Sequence, residues 1–309
     1  MPLNMYALDE SSGTFISALK WSMTNLDHLA KGGTANTYTL LHRQDYVYKQ
    51  FTVNAIEQMN VDGTYSLMSQ KLEELLRVGL NNSDWLVVWP LYLVHDTNDN
   101  NVNHHYLGYV MPRLANHSHL HSDFIAQVEK ANKVKSMLLS LVRAFRHVHK
   151  QDFAIGDVSI NNVMVEKDTY QCILIDCDSF VVNIDGTISK PLGQTTGYFY
   201  KHMKNMLTIA DFQSNDLFGL AAIMFFILCG QEFHLENNGP YAGLNGANII
   251  NSRIQDRKFP VHESPDTCQA TSNRFKDLPQ VIKELFIATF TQHNPPSLDD
   301  WGAALATLP

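Results

Sequence analysis

Asp157 and Asn162 stand five residues apart in Gly156-Asp157-Val158-Ser159-Ile160-Asn161-Asn162-Val163, and a second acidic cluster, Asp176-Cys177-Asp178, closes the apolar run Cys172-Ile173-Leu174-Ile175. Those residue types at that spacing suit phosphoryl transfer. An aspartate beside a bound hydroxyl orients it and takes its proton, while an asparagine five residues on and an acid on the next strand offer oxygen donors to magnesium on ATP. An acid that ends a buried strand near another acidic loop is more often a site than a surface turn.

The elements that must hold these residues fall into two regions. From about Leu26 to Leu114 short β-like runs dominate, at Thr37–Leu41, Tyr46–Phe51, Trp85–Trp89 and Tyr106–Met111, with one helix at about Tyr65 to Val78. Beyond Leu114 the pattern turns helical. Val134, Leu138, Leu141, Val142, Phe145 and Val148 form one apolar stripe within Phe124–Lys150, and short strands are expected at Val163–Val165 and Ile173–Ile175. At 309 residues and 45% hydrophobic content, two lobes are the natural expectation. The predicted class is α+β, with residues 1–114 a small β-rich lobe, residues 115–309 a larger helical lobe, and a cleft between them.

Composition narrows the partners. A net charge of -8 without any Lys/Arg run argues against nucleic acid. Cys172, Cys177, Cys229 and Cys268 form no CxxC pair, which fits reduced thiols in the cytoplasm. Met1–Tyr6 lacks an export signal, and the longest apolar stretch, Leu217–Cys229, is at thirteen residues too short for a bilayer and reads as a buried helix, so no membrane partner is expected. Asp96–His105 reads as an exposed loop, and the alternating His117, His119 and His121 as a turn before a helix near Ser122 rather than a metal site.

From about Leu29 to Leu308 the order of motifs resembles the eukaryotic-type protein kinase superfamily in a divergent bacterial or phage form, similar to kinases associated with tellurite-resistance and stress operons. The resemblance implies a bilobal kinase-like fold with ATP and magnesium as cofactors. Gly32 and Gly33, in Lys31-Gly32-Gly33-Thr34-Ala35, would be the phosphate loop, with alanines at the family's outer glycine positions. Lys49 would clamp the α- and β-phosphates, its carboxylate partner coming from the helix: Glu74 is favoured, with Glu73 and Gln70 as alternatives. Met111, Pro112 and Leu114 would form the hinge that meets adenine, with Met164 beneath it. Asp157, Asn162 and Asp176 would be catalytic, with Asn162, Asp176 and also Asp178 as metal ligands.

Departures from the family pattern are specific. Ile155 and Gly156 replace the His-Arg before the catalytic aspartate, Ser159 replaces a lysine, and Asp178 replaces the glycine of Asp-Phe-Gly. Gly156 removes the usual receptor for an activation-loop phosphate, which leaves open whether Thr195 or Thr196 is phosphorylated. Asp216, in Ser214-Asn215-Asp216, would support the catalytic loop from a buried helix. Ala-Pro-Glu is missing after Tyr198, so the substrate loop needs a different anchor. The expected activity is transfer of the ATP γ-phosphoryl group to Ser/Thr of a protein substrate. The alternatives are a small-molecule phosphotransferase of the aminoglycoside or choline kinase kind and an ATP-binding pseudokinase scaffold.

Overall fold

The computed structural model describes residues 2–9, 14–22, 26–41, 43–80, 85–96, 106–130, 132–230, 246–259 and 269–309. These separate into two compact units. The first comprises residues 1–116 with Ile175–Asp178 and Asn183–Leu192, and the second residues 117–174, 179–182 and 193–309, so the chain returns to the first unit twice instead of crossing once near residue 114.

The first unit is built on strands β1 (Pro2–Asp9), β2 (Thr14–Ser22), β3 (Leu26–Lys31), β4 (Ala35–Leu40) and β5 (Arg43–Phe51), helices α1 (Val53–Val61) and α2 (Tyr65–Leu80), and strands β6 (Tyr92–Asp96) and β7 (Gly108–Pro112). The seven strands form one antiparallel sheet in the order β2-β1-β6-β7-β5-β4-β3. Alternation divides its faces. Met5, Leu40, Tyr48, Val94 and Val110 make a core cluster, so their strand neighbours Val47, Lys49 and Tyr109 turn to the opposite face. Several elements differ from expectation, beginning with β1 and β2, where no strand was anticipated. A second helix, α1, precedes α2, capped by the Thr52 side chain accepting from Ala55 N–H; Trp85–Trp89 is a turn with buried Val87 and Val88 rather than a strand; and β6 pairs where no strand was expected.

In the second unit β8 (His117–His119), α3 (Ser122–Lys130), α4 (Val134–His149), β9 (Val163–Glu166) and β10 (Cys172–Leu174) come first. The chain then passes through a hairpin, β11 (Val182–Ile184) and β12 (Thr187–Ser189), which from Asn183 onward belongs to the first unit; its two-residue turn is formed by Asp185 and Gly186 at φ 48° and 86°, as a type I′ turn requires. The second unit ends in α5 (Ile209–Cys229), α6 (Gly246–Gln255), α7 (Gln269–Asp277), α8 (Gln280–Gln292) and α9 (Leu298–Ala306). Strands β10-β9-β8 form a small sheet, and α4 packs on β10 and α9. Most of Asp96–His105, and Cys268, lie outside the described residues.

Helix α5 is the spine of this unit. Its 21 residues make it long and apolar enough to cross a membrane by length and composition, longer than the thirteen-residue stretch suggested, yet 78% of its most apolar window is buried inside the protein. A capping box of Thr208 and Asp211 starts it and Gly230, at φ 79°, ends it. Phe225 on α5 meets Phe259, Phe286 and Phe290 edge-on at centroid distances of 5.5, 5.4 and 6.1 Å.

Gly219 sets how close α5 comes to the loop that carries Asp157. A Cβ there would lie 2.6 Å from Val158 Cγ1 and 2.8 Å from the Tyr198 carbonyl oxygen. Gly219→Ala is therefore expected to overpack the site and cost about 1–3 kcal/mol, a fall of about 3–10 °C in thermal midpoint measured by calorimetry.

Candidate functional site

The loop that carries Asp157 is fixed from below by a carboxylate. Asp216, 1% exposed on α5, accepts from Ile155 N–H at 2.7 Å and Gly156 N–H at 3.0 Å, and its Oδ2 is 3.0 Å from His149 Nε2. Ser179 Oγ donates to the Ile155 carbonyl, and Ala154 pairs with Val181. Gly156 then turns the chain. At φ 76° it lets Asp157 N–H donate back to the Ile155 carbonyl at 2.9 Å, a three-residue turn that a side chain at this position would strain. Gly156 thus has a backbone role.

Above this turn the Asp157 carboxylate is oriented from two sides. Thr195 N–H donates to Oδ1 at 2.6 Å. Asn162 Nδ2 donates to the Asp157 carbonyl at 2.8 Å and stands 3.5 Å from Oδ2. With its Nδ2 committed, Asn162 has its amide oxygen left as a ligand atom. Ile155 is buried, filling its place with apolar bulk as expected, and the Ser159 hydroxyl is buried without a hydrogen-bond partner among the described residues.

In the first unit Lys49 is the centre. It lies opposite Tyr109 in the β5–β7 register, and the two side chains share a face. Its ammonium pairs with Asp176 Oδ1 and, at 2.6 Å, with Asp178 Oδ1. Tyr109 OH donates to that same Asp178 oxygen at 2.6 Å, and Lys71 Nζ donates to the Asp178 carbonyl at 2.7 Å. The electrostatics follow from burial and proximity. Burial lowers the Lys49 ammonium's affinity for its proton, but Asp178 and Asp176 together outweigh this and hold it above the ordinary lysine range. Burial dominates for Lys71, lowered to about 8 despite Asp178. Asp178 has the opposite balance: burial raises it, and Lys49, Tyr109 and Lys71 bring it below the usual carboxylate range.

No family model matches the chain. Two curated proteins are similar to it over 245 aligned positions covering 72% of the chain: protein kinase YegI of Escherichia coli K12, at 24% identity, and that of Escherichia coli O157:H7, at 26%. These matches support a kinase-like bacterial protein. They cover 36% of each relative, so the chain corresponds to about a third of those proteins. The antiparallel sheet of the first unit and the helices of the second are compatible with a kinase-like fold.

Against that background the other expected residues can be placed. Gly32 and Gly33 make the β3–β4 turn, closed by Gly32 N–H on the Ala35 carbonyl at 2.9 Å. Met111 and Pro112 end β7 opposite Val47 and Tyr46, Leu114 follows partly buried, and Met164 pairs with Ile173 and His119 in the second unit's sheet. The helix carboxylate is corrected: Lys49 pairs with Asp176 and Asp178, not with Glu74. Glu74 lies outside the buried Met68-Leu72-Leu75-Leu76 stripe and, with Gln70, Glu73, Arg77 and Asn183–Asp185, lines a 440 Å³ surface pocket. Glu73 accepts from Tyr106 OH at 2.8 Å. Asp178, expected as a metal ligand, is 5% exposed with Oδ1 occupied by Lys49 and Tyr109. His121 Nδ1 caps α3 by accepting from Phe124 N–H at 3.2 Å, and no cluster of three metal-ligating side chains occurs among the described residues.

Lys71, whose cation is wholly buried, and Asn215 were not among the expected site residues. Asn215 supplies the missing anchor: its Oδ1 accepts from Tyr200 and Lys201 N–H at 3.1 and 3.2 Å. Lys201 Nζ meets Asp211 at 2.7 Å, and Gln194 Oε1 accepts from Met203 N–H at 2.7 Å. The pairing of Asn215 with Asp216 beside it was the available signal, one side chain for each loop. Asp216→Asn turns an amide N–H toward one of the two loop donors. It is expected to cost about 2–4 kcal/mol in denaturant unfolding and to lower any transfer activity without a matching change in nucleotide affinity.

Proposed function

We propose that the chain is a magnesium- and ATP-dependent protein kinase that transfers the γ-phosphoryl group of ATP to serine or threonine hydroxyls of a protein substrate. The observation that carries this reading is the oriented Asp157 carboxylate. Thr195 N–H donates to Oδ1, and Oδ2, 3.5 Å from Asn162 Nδ2, is the oxygen assigned to the incoming hydroxyl. The hydroxyl oxygen bonds to the γ-phosphorus, the bond from that phosphorus to the β–γ bridging oxygen breaks, ADP departs, and the hydroxyl proton passes to Asp157 Oδ2.

Lys49 would steer the α- and β-phosphates, Gly32 and Gly33 would let backbone N–H groups approach them, and Met111, Pro112, Leu114 and Met164 are the residues assigned to adenine. Each of two residues offers a donor of the kind a hard cation takes, the amide oxygen of Asn162 and the carboxylate of Asp176, whose side chain is 34% exposed. Magnesium held by these residues would supply charge neutralisation at the phosphates. Asp178 is assigned to Lys49 instead. A protein substrate, rather than a metabolite, is favoured by the segment from Gly193 to Lys201, which is tied to Asp157 at one end and to α5 at the other. The buried thiols suit the cytoplasm, Cys172 being pushed up to about 12 by burial.

Purified protein incubated with labelled ATP, magnesium and generic protein substrates should transfer label to Ser/Thr, and Asp157→Ala should reduce the rate by about 10²–10⁴-fold. Equal labelling by wild type and Asp157→Ala would remove the proposed base. Transfer only to an aminoglycoside or similar metabolite would make the chain a small-molecule phosphotransferase, and nucleotide binding without transfer a scaffold.

A further inference from the structure

We propose that Asp178 is the positioning residue for the nucleotide lysine, taking over from the end of the metal-binding strand the task that a helix carboxylate has in the kinases this chain resembles. The proposal rests on the reading of Lys49 as the phosphate-binding lysine. Three observations carry it. Asp178 is 5% exposed and its Oδ1 receives both Lys49 Nζ and Tyr109 OH at 2.6 Å. Helix α2 turns a cation, not an anion, toward the same group: Lys71, fully buried, binds the Asp178 carbonyl. The carboxylates of α2 are elsewhere, Glu73 on Tyr106 and Glu74 lining the surface pocket.

The physical consequence concerns Asp176. Lys49 is held between two carboxylates, so Asp178 keeps its ammonium from settling on Asp176 alone. Without the Asp178 charge, Lys49 has one anion left, the one proposed for magnesium. The lysine and the cation then compete for Asp176. A merely structural role for Asp178 would lower stability but would not make nucleotide binding more demanding of magnesium.

The test is titration of the full chain with a fluorescent ATP analogue at several magnesium concentrations, with thermal unfolding measured in parallel. Asp178→Asn should weaken nucleotide binding about ten- to a hundredfold and raise the magnesium concentration for half-saturation. Tyr109→Phe keeps the ring and removes only the hydroxyl that orients Asp178, and should weaken binding about three- to tenfold. Glu74→Gln, which would remove the partner in a helix-carboxylate arrangement, should change binding less than twofold. If Asp178→Asn does not fold, Tyr109→Phe decides. Wild-type binding retained within twofold in the folded Asp178 variant or in Tyr109→Phe, or lost in Glu74→Gln, overturns the assignment of Asp178 while leaving the kinase reading intact. A wild type that binds no nucleotide overturns the kinase reading itself, and this inference with it.

Discussion

A carboxylate buried as deeply as that of Asp178 costs several kcal/mol unless cations and donors meet it, and much of the first unit is arranged around meeting it. The β5–β7 register brings Lys49 and Tyr109 to one face, where both reach the same oxygen. Helix α2 adds Lys71 from its inner side, the one charged residue among otherwise apolar or small buried positions. Breaking such a group by removing one member leaves the others buried and uncompensated, so its members are interdependent. The balance differs for the two lysines: Asp178 and Asp176 outweigh burial at Lys49 and hold it above the ordinary lysine range, whereas burial dominates at Lys71 and brings it to about 8.

The second unit solves a different problem, the fixing of a backbone loop. Here one carboxylate, Asp216, meets two successive N–H groups at the point where Gly156 reverses the chain. Charge-assisted bonds from a fully buried acid are among the stronger ones available, and they hold the backbone from which Asp157 projects. The close approach of α5 at Gly219 is what brings Asp216 within reach, since a side chain at 219 would meet Val158 and the Tyr198 carbonyl. Packing and hydrogen bonding at this loop are therefore one constraint.

Much of this was legible in the sequence wherever a residue's role is local. The stripe Val134–Val148, the apolar run ending at Asp176 and the buried helix at Leu217–Cys229 follow from periodicity and apolar runs, while the place of Asp216 at the start of that helix was implied by the kinase resemblance, and the structure has α4, β10 and α5 there. The strand β6 was missed because Tyr92–Asp96 is short and sits beside the apolar run Trp85–Trp89, which took its place in the reading. The pairing of Lys49 was misassigned for a related reason. Helical spacing suggested that Glu74 shares the face of Val78, but the helix buries the face of Met68, Leu72 and Leu75, and a lysine at position 71 carries no sequence sign that it will be buried. Long-range charge pairing, across the 129 positions between Lys49 and Asp178, is not encoded in any local period.

The anchor of the segment after Thr195 differs from the one expected from the kinase resemblance. In place of an ion pair between a glutamate and a distant arginine, the backbone of Tyr200 and Lys201 is held by the amide of Asn215, with Tyr200 OH beside Ser214 Oγ at 2.9 Å. An amide acceptor avoids the desolvation that a buried ion pair incurs, and it needs no partner from the far end of the chain. Because Asn215 and Asp216 are adjacent on α5, one turn of helix holds both the loop bearing Asp157 and the segment whose Thr195 N–H orients it. The orientation of the Asp157 carboxylate is then set by hydrogen bonds within the second unit, and the segment after Thr195 is held by backbone N–H groups on side-chain acceptors.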